Sequence, residues 1–260
     1  MFEWLEQEIA SVKTPKFFCI QGPLPQEKRA LVEHSDLAVP ESYKQFVIRF
    51  GHAFLYRRKC RYLVEVYDVP KDYQSNEGDP LLHIGRSLDG RAYFKTSVLV
   101  PGAESPVFEW TGTGLIRKAD GFQQWIGSEC KAARRWFKKP QWAEIVAGPK
   151  PFSDYEEAIV EARRLYRWCV VGVAEDGNLR FEVHNGSVMR LQCLSVGVRG
   201  KVIGTGGVRL PVSHIGPGET DIVSVDCYKR FDDPKQVEVF QKPDPEPEDR
   251  ECYCELSGNQ

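Results

Sequence analysis

The chain of 260 residues has no apolar run approaching the roughly 20 residues that a bilayer-spanning helix needs. Its start, MFEWLEQEIASV, puts Glu3, Glu6 and Glu8 where a secretory signal carries bases and an unbroken apolar segment. A cytoplasmic location with no membrane partner is therefore expected. Catalytic signatures are missing as well: there is no P-loop, G-x-G-x-x-G, H-E-x-x-H or G-x-S-x-G. Histidine occurs only five times. His34, His52, His83, His184 and His214 stand apart from one another, and no nucleophile motif lies beside any of them. No catalytic residue and no cofactor are assigned, and the chain reads as a binding protein rather than an enzyme.

Eight cysteines raise the question of metal. Cys19, Cys60, Cys130, Cys169, Cys193 and Cys227 are scattered, and Cys252-Tyr253-Cys254 is the only close pair. A lone C-x-C without a second pair or a nearby His does not make a zinc motif. Absent an export signal, the cysteines are expected to be reduced thiols, with no metal.

What is present is an ordinary globular composition, 42% hydrophobic and 28% charged, long enough for about two domains. The net charge of −2 is unevenly spread: residues 1–150 carry 22 Lys+Arg against 18 Asp+Glu (+4), leaving −6 for the rest. Neither half is basic enough to suggest nucleic acid as a partner on charge alone.

Periodicity supplies the elements. Phe2, Leu5, Ile9 and Val12 fall at helical spacing, and a second helix fits residues 25–34, toward His34. In VPESYKQFVIRFG, Pro40 suits a first helical turn. Tyr43, Phe46, Val47 and Phe50 then mark one face, and Gly51 gives the stop. Strand rhythm follows at 61–67, then a polar loop through Pro70 and Pro80, then strands at 81–84, 92–100 and 106–110 with a turn at Asp89-Gly90. Asp120 is the expected N-cap of a helix that runs to Pro140. Ser153 to Glu156 matches a capping box that opens a helix to about Arg167, and the remainder reads as strands and turns. The expected class is α+β: a small antiparallel sheet packed with helices, followed by a C-terminal all-β sandwich. The division is 1–147, a linker helix over 148–167, a β-module over 168–242 and an acidic, Pro-rich, extended tail over 243–260.

Five further features have plain structural readings. Gly204 to Gly207 lies between strands, so it reads as a turn rather than a phosphate cradle. His83 reads as a strand residue, and Glu109 as facing away from its neighbours Phe108 and Trp110. The basic, aromatic runs Tyr56–Tyr62 and Arg134–Lys139 each read as a solvated cationic face.

LAVPESYKQFVIRFG resembles the signature helix of the SUKH superfamily, which includes bacterial immunity proteins and a yeast cell-wall regulator; Val39-Pro40, Tyr43, Phe46 and Gly51 carry the match. LLHIGRSLDGRAYF, SPVFEW and FQQWI resemble the family's later landmarks in the same order, although His-Ala-Phe follows Gly51 where relatives often show Asn-Gly. In the second part, HNGS at 184–187 and HIGPGET at 214–220 resemble an Ig-like module of the FxLYD type.

The resemblance implies an immunity protein that occludes the active site of a cognate toxin domain. An intracellular scaffold or regulator is the alternative, and no oligomeric state is assigned. The candidate partner-binding segment is acidic and aromatic: Glu65, Tyr67, Asp68, Asp72, Tyr73, Glu77 and Asp79. It would suit a toxin with a basic cleft, with Phe108 and Trp110 as the next surface to examine.

Overall fold

The computed structural model describes residues 1–33, 39–59, 61–74, 80–100, 103–110, 114–200, 204–226 and 237–256. The chain forms two compact units, Met1–Pro149 and Lys150–Gln260. The class is mixed, with helices and a seven-stranded antiparallel sheet in the first unit and two three-stranded sheets in the second.

In the first unit α1 (Glu3–Ser11), α2 (Gln26–Glu33) and α3 (Glu41–Phe50) surround the short β1 (Cys19–Ile20). The strands β2 (Ala53–Arg58), β3 (Arg61–Gln74), β4 (Pro80–Arg86), β5 (Arg91–Lys95), β6 (Val107–Trp110) and β7 (Leu115–Ala119) follow. They lie side by side in chain order, so every connection is a hairpin and the sheet is a simple meander. The helices α4 (Phe122–Arg135) and α5 (Lys139–Ala147) close the unit.

The core lies on one face of this sheet. Ala53 and Leu55 of β2 pair with Val66 and Val64 of β3, Leu82 pairs with Phe94, and all are buried. Onto them α3 lays Tyr43, Phe46, Val47 and Phe50, the stripe that the spacing predicts. Phe122 of α4 meets Phe46, Tyr43 and Phe2 at 5.4, 5.2 and 6.5 Å with edge-on rings. Gly51 stops α3 with φ +64, and a Cβ there would stand 2.5 Å from the Gly22 carbonyl.

Several sequence-based boundaries shift. The sheet is larger than the expected small one: β2 and β7 join it, and β3 runs on to Gln74 instead of yielding to a loop at Tyr67. Pro70 is tolerated because the register shifts between Val66 and Lys71, leaving it outside regular pairing. The strand expected over 92–100 stops at Lys95. The helix expected to run to Pro140 stops at Arg135, and Pro140 instead occupies the first turn of α5, where no N–H bond is needed. Asp120 is not the N-cap of α4; its carboxylate binds Arg117, and Glu104 accepts from the Phe122 N–H at 3.3 Å.

In the second unit the capping box forms as read, with Ser153 and Glu156 exchanging bonds at the start of α6 (Asp154–Leu165). This helix is not a linker. Its Ile159, Val160 and Ala162 belong to the core of the second unit, which therefore is not all-β. One sheet contains β8 (Tyr166–Val173), β9 (Leu179–Asn185) and β12 (Thr220–Val225); the other contains β10 (Cys193–Gly200), β11 (Gly204–Pro211) and β13 (Val237–Gln241). Phe181 and Val183 of the first sheet share a buried cluster with Val196, Val198 and Leu210 of the second. Gly204 to Gly207 open β11 and are paired, so this stretch is strand and not turn.

The tail is also ordered through Leu256. Asp244 takes the Arg163 guanidinium at 2.9 Å, and Glu255 accepts the Ser195 N–H at 2.7 Å. Cys254 is joined to Cys193 by a disulfide, and Cys252 is disulfide-bonded as well, which corrects the expectation of reduced thiols. Cys19, Cys130 and Cys169 are free, while Cys60 and Cys227 lie outside the described residues.

Candidate functional site

Helices α3 and α4 pack against one face of the seven-stranded sheet, and the side chains that alternate away from them build the other. Along β2 to β5 these are Phe54, Tyr67, His83 and Tyr93; His52, just before β2, and Tyr62, whose ring meets Phe54, join them. Together they form a continuous ladder of six rings. Tyr62 and Phe54 have ring centres 5.3 Å apart, and Phe54 stacks on His52 at 4.4 Å. His52 meets Tyr67 edge-on at 5.3 Å, Tyr67 meets His83 at 4.9 Å, and His83 stacks on Tyr93 at 4.8 Å. Tyr93 is fully buried, while the other five are only partly covered and lie outside the core. Half-buried aromatics in an unbroken row offer large contact area at small entropic cost.

Backbone anchoring keeps the row in place. Tyr43, from the core stripe of α3, donates its hydroxyl to the Tyr67 carbonyl at 2.8 Å, close to the irregular stretch of β3. A Cβ at Gly85 would lie 2.1 Å from the Glu65 carbonyl, so only glycine lets β4 approach β3 this closely. His83 Nε2–H donates to the Gly85 carbonyl across 2.9 Å, the satisfied strand role read for it. Burial pushes its imidazole pKa down and so favours the neutral ring, while burial and the Glu65 charge raise the Tyr67 phenol.

Charge surrounds the rings. Lys71 sits over the Tyr67 ring at 4.4 Å. Where the ladder ends at Tyr93, a shallow cleft of about 520 Å³ is lined by Arg86, Ser87, Asp89, Arg91, Tyr93 and Trp110. Two arginines beside two aromatic rings suit a carboxylate carried on a partner's side chain.

Behind the cleft lies a buried polar cluster. Glu109 faces the core, opposite Phe108 and Trp110 as alternation predicts, and accepts from Ser87 Oγ at 2.7 Å and Trp125 Nε1 at 2.9 Å. Lys118 lies 3.2 Å from its other oxygen and 2.7 Å from Asp89, whose hydrogen bond is the main reason the ammonium pKa rises to about 12. Burial, with repulsion from Glu109, pushes Glu129 up to about 7. These groups fasten α4 to β6 and β7 beneath the surface.

The acidic segment expected to bind a partner is only partly brought onto this face. Glu65 is buried and already paired, with Arg86 Nε at 2.5 Å and His52 at 2.9 Å. Asp68 is held by Lys28 of α2 at 3.1 Å. Tyr67 stands in the ladder and Asp72 is exposed on β3. The Tyr73 side chain, Glu77 and Asp79 lie outside the described residues. Sequence reasoning missed Phe54, His52, Arg86 and Arg91. The available signal was alternation across β2 to β5, legible only once those strands are known to be neighbours.

In the second unit Cys193, Cys254 and Glu255 place possible ligand atoms within 4.8 Å of one another. With the two sulfurs bonded to each other and Glu255 committed to the Ser195 N–H and hydroxyl, the trio does not present a metal site in this form. The segments HNGS and HIGPGE also meet: buried Asn185 donates to the Met189 and Ile215 carbonyls at 3.0 and 3.1 Å and receives the Ser187 N–H at 2.9 Å.

Among the described residues no helix is long and apolar enough to cross a membrane. Comparison of the chain with family models, curated proteins and solved structures found no match in any of the three.

Proposed function

We propose that the first unit is a protein-docking domain of the SUKH type that acts as an immunity protein, binding a toxin domain and covering its active site. The second unit, on this reading, is an Ig-like FxLYD-type module that accompanies it. The observation that carries the reading is the six-ring ladder ending in the Arg86–Arg91 cleft, an aromatic surface that the core does not use. Inhibition by occlusion requires only such a surface and no catalytic group.

The charge of the site alters the expected partner. Because Glu65 and Asp68 are neutralised by Arg86 and Lys28, the acidic segment contributes less than a basic toxin cleft would require. Arg86 is neutralised in that same pair, so Arg91, beside Tyr93 and Trp110, is the cleft cation that would meet a partner's acidic and apolar side chains. A scaffold role would use the same surface and differ only in the partner.

The reading expects this gene to lie directly downstream of a large toxin gene, and the test begins with the toxin domain found there. A stoichiometric complex on gel filtration and rescue of cells expressing that toxin are expected; pairs of this kind reach Kd values down to ~10⁻¹³ M. Rescue without any complex would overturn occlusion. A stable complex with a non-toxic cytoplasmic protein and no rescue would favour the scaffold.

A further inference from the structure

The two basic, aromatic runs that are separate in sequence become one surface in the first unit. The Arg58 guanidinium, near the β2–β3 tip, lies 4.4 Å from the centre of the Trp136 ring at the end of α4. Lys59 and Arg61 neighbour Arg58 in sequence, as Arg135, Lys138 and Lys139 neighbour Trp136; all five are exposed and, among the described residues, joined to no carboxylate. Neither 55–64 nor 130–143 contains an Asp or Glu. At the edge of the surface Glu8 is committed to the Tyr56 hydroxyl at 2.8 Å and to Arg134 at 3.8 Å.

The backbone adds an independent sign. Lys16, Tyr56 and Lys59 have φ of +59, +58 and +55, and they are the only non-glycine residues with positive φ among those described. All three gather here: the Tyr62 hydroxyl bonds the Lys16 carbonyl at 2.8 Å, and the Arg57 N–H bonds the neighbouring Phe17 carbonyl at 3.0 Å. A left-handed conformation is unfavourable for a residue with a side chain and concentrates where a shape is functionally required. Here it holds a cation-bearing hairpin tip against α4.

We propose that this joined surface binds single-stranded nucleic acid, with Trp136 as a stacking platform. Trp136 is 48% exposed although Arg58 covers one side of its ring, so a base can lie on the side that remains. Cations spaced around exposed rings are the pattern that tracks a phosphate backbone and stacks its bases. An acidic protein would satisfy the cations and leave the ring face unused. The surface is at the Tyr62 end of the ladder, away from the Tyr93 cleft, and the inference does not rest on the docking reading.

Fluorescence anisotropy of a labelled oligo-dT of about 20 nucleotides, titrated with the full chain, tests it. Saturable binding in the micromolar range is expected at about 50 mM salt, weakening roughly 10- to 50-fold by about 200 mM. The combined charge reversal Arg58→Glu, Arg135→Glu and Lys138→Glu should abolish binding. Trp136→Ala should weaken it about tenfold with the salt slope unchanged. Each variant must keep the wild-type melting temperature; if the triple variant does not, Lys138→Glu with Lys139→Glu, both on the surface, replaces it. No saturable signal at low salt, undiminished binding by the charge-reversed chain, or equally effective displacement by polyglutamate of matched charge would each overturn the proposal. The last result would assign the surface to an acidic protein instead.

Discussion

The two units hold themselves together by different means. The first is built around a large aromatic core in which Phe122, Phe46, Tyr43 and Phe2 interlock. Its sheet can therefore leave a second row of rings for another use. The second unit has a smaller core and relies on ties that cross it: the disulfide Cys193–Cys254, the Asn185 hub, and Arg163 bridging α6 to the tail. A sheet with its core settled on one face is free to bind through the other, whereas a unit held by a few specific links is sensitive to losing any of them.

The largest effect that would sharpen this contrast is at Arg163, which is only 1% exposed and bonds Asp244 Oδ1 at 2.9 Å and the Lys242 carbonyl at 2.6 Å. Arg163→Ala removes these bonds and the cation 3.8 Å from the buried Glu255 carboxylate, and should cost about 3–5 kcal/mol. Calorimetry should place that loss in the second unit's transition and leave the first unit's transition unmoved. A shift confined to the first unit would break the comparison.

Reducing the disulfide, or replacing Cys193 and Cys254 by serine, comes next. The bridge spans 61 residues of chain, and losing it should cost roughly 2–4 kcal/mol. Protease should then cut the tail near Pro247–Cys252 before any part of the first unit. A tail equally protected in the reduced chain would show that Arg163 and Glu255 suffice.

In the first unit the corresponding lever is pH. With its pKa pushed up to about 7 by burial, Glu129 keeps a proton in the folded chain that the unfolded chain releases near the ordinary carboxylate value. Its favourable contribution is complete below about 4.5 and fades as pH rises to about 7, a change of roughly 2–3 kcal/mol. Urea melts of the first unit's transition should show that slope, and Glu129→Gln should abolish it. A wild-type slope in the variant would assign the effect elsewhere.

The smallest effect concerns Glu104, which accepts from Ser42 Oγ at 2.8 Å and from the Phe122 N–H at 3.3 Å, so that one carboxylate serves the starts of both α3 and α4. Glu104→Ala should destabilise the first unit by about 1–2 kcal/mol, read as a shift in urea midpoint.

These cases mark what local sequence can and cannot convey. The stripe on α3, the Gly51 stop and the Ser153–Glu156 box were legible because each is completed within a turn or two of helix. Glu104 capping two helices, Tyr43 holding the Tyr67 carbonyl and Arg58 lying on Trp136 were not, because each joins segments brought together only by the fold. The same difference explains the site. Glu65, at a strand end, and Asp68, at the start of the polar loop, read as free acids until Arg86 and Lys28 are seen beside them. The ladder is invisible until β2 to β5 are set in register. Pro70 and Pro140 misled for a related reason: a bulge absorbs one and a new helix start absorbs the other.

The most direct measurement of the docking claim is the affinity of the full chain, by isothermal titration, for the toxin domain that the proposal expects to be encoded directly upstream. The comparison is with Tyr67→Ala combined with Arg91→Glu, changed at the ladder and at the cleft. The account expects affinity to fall by at least a hundredfold, with the melting temperature nearly unchanged and with Asp72→Lys having little effect. Undiminished affinity in the double variant, or a loss caused by Asp72→Lys alone, would contradict it.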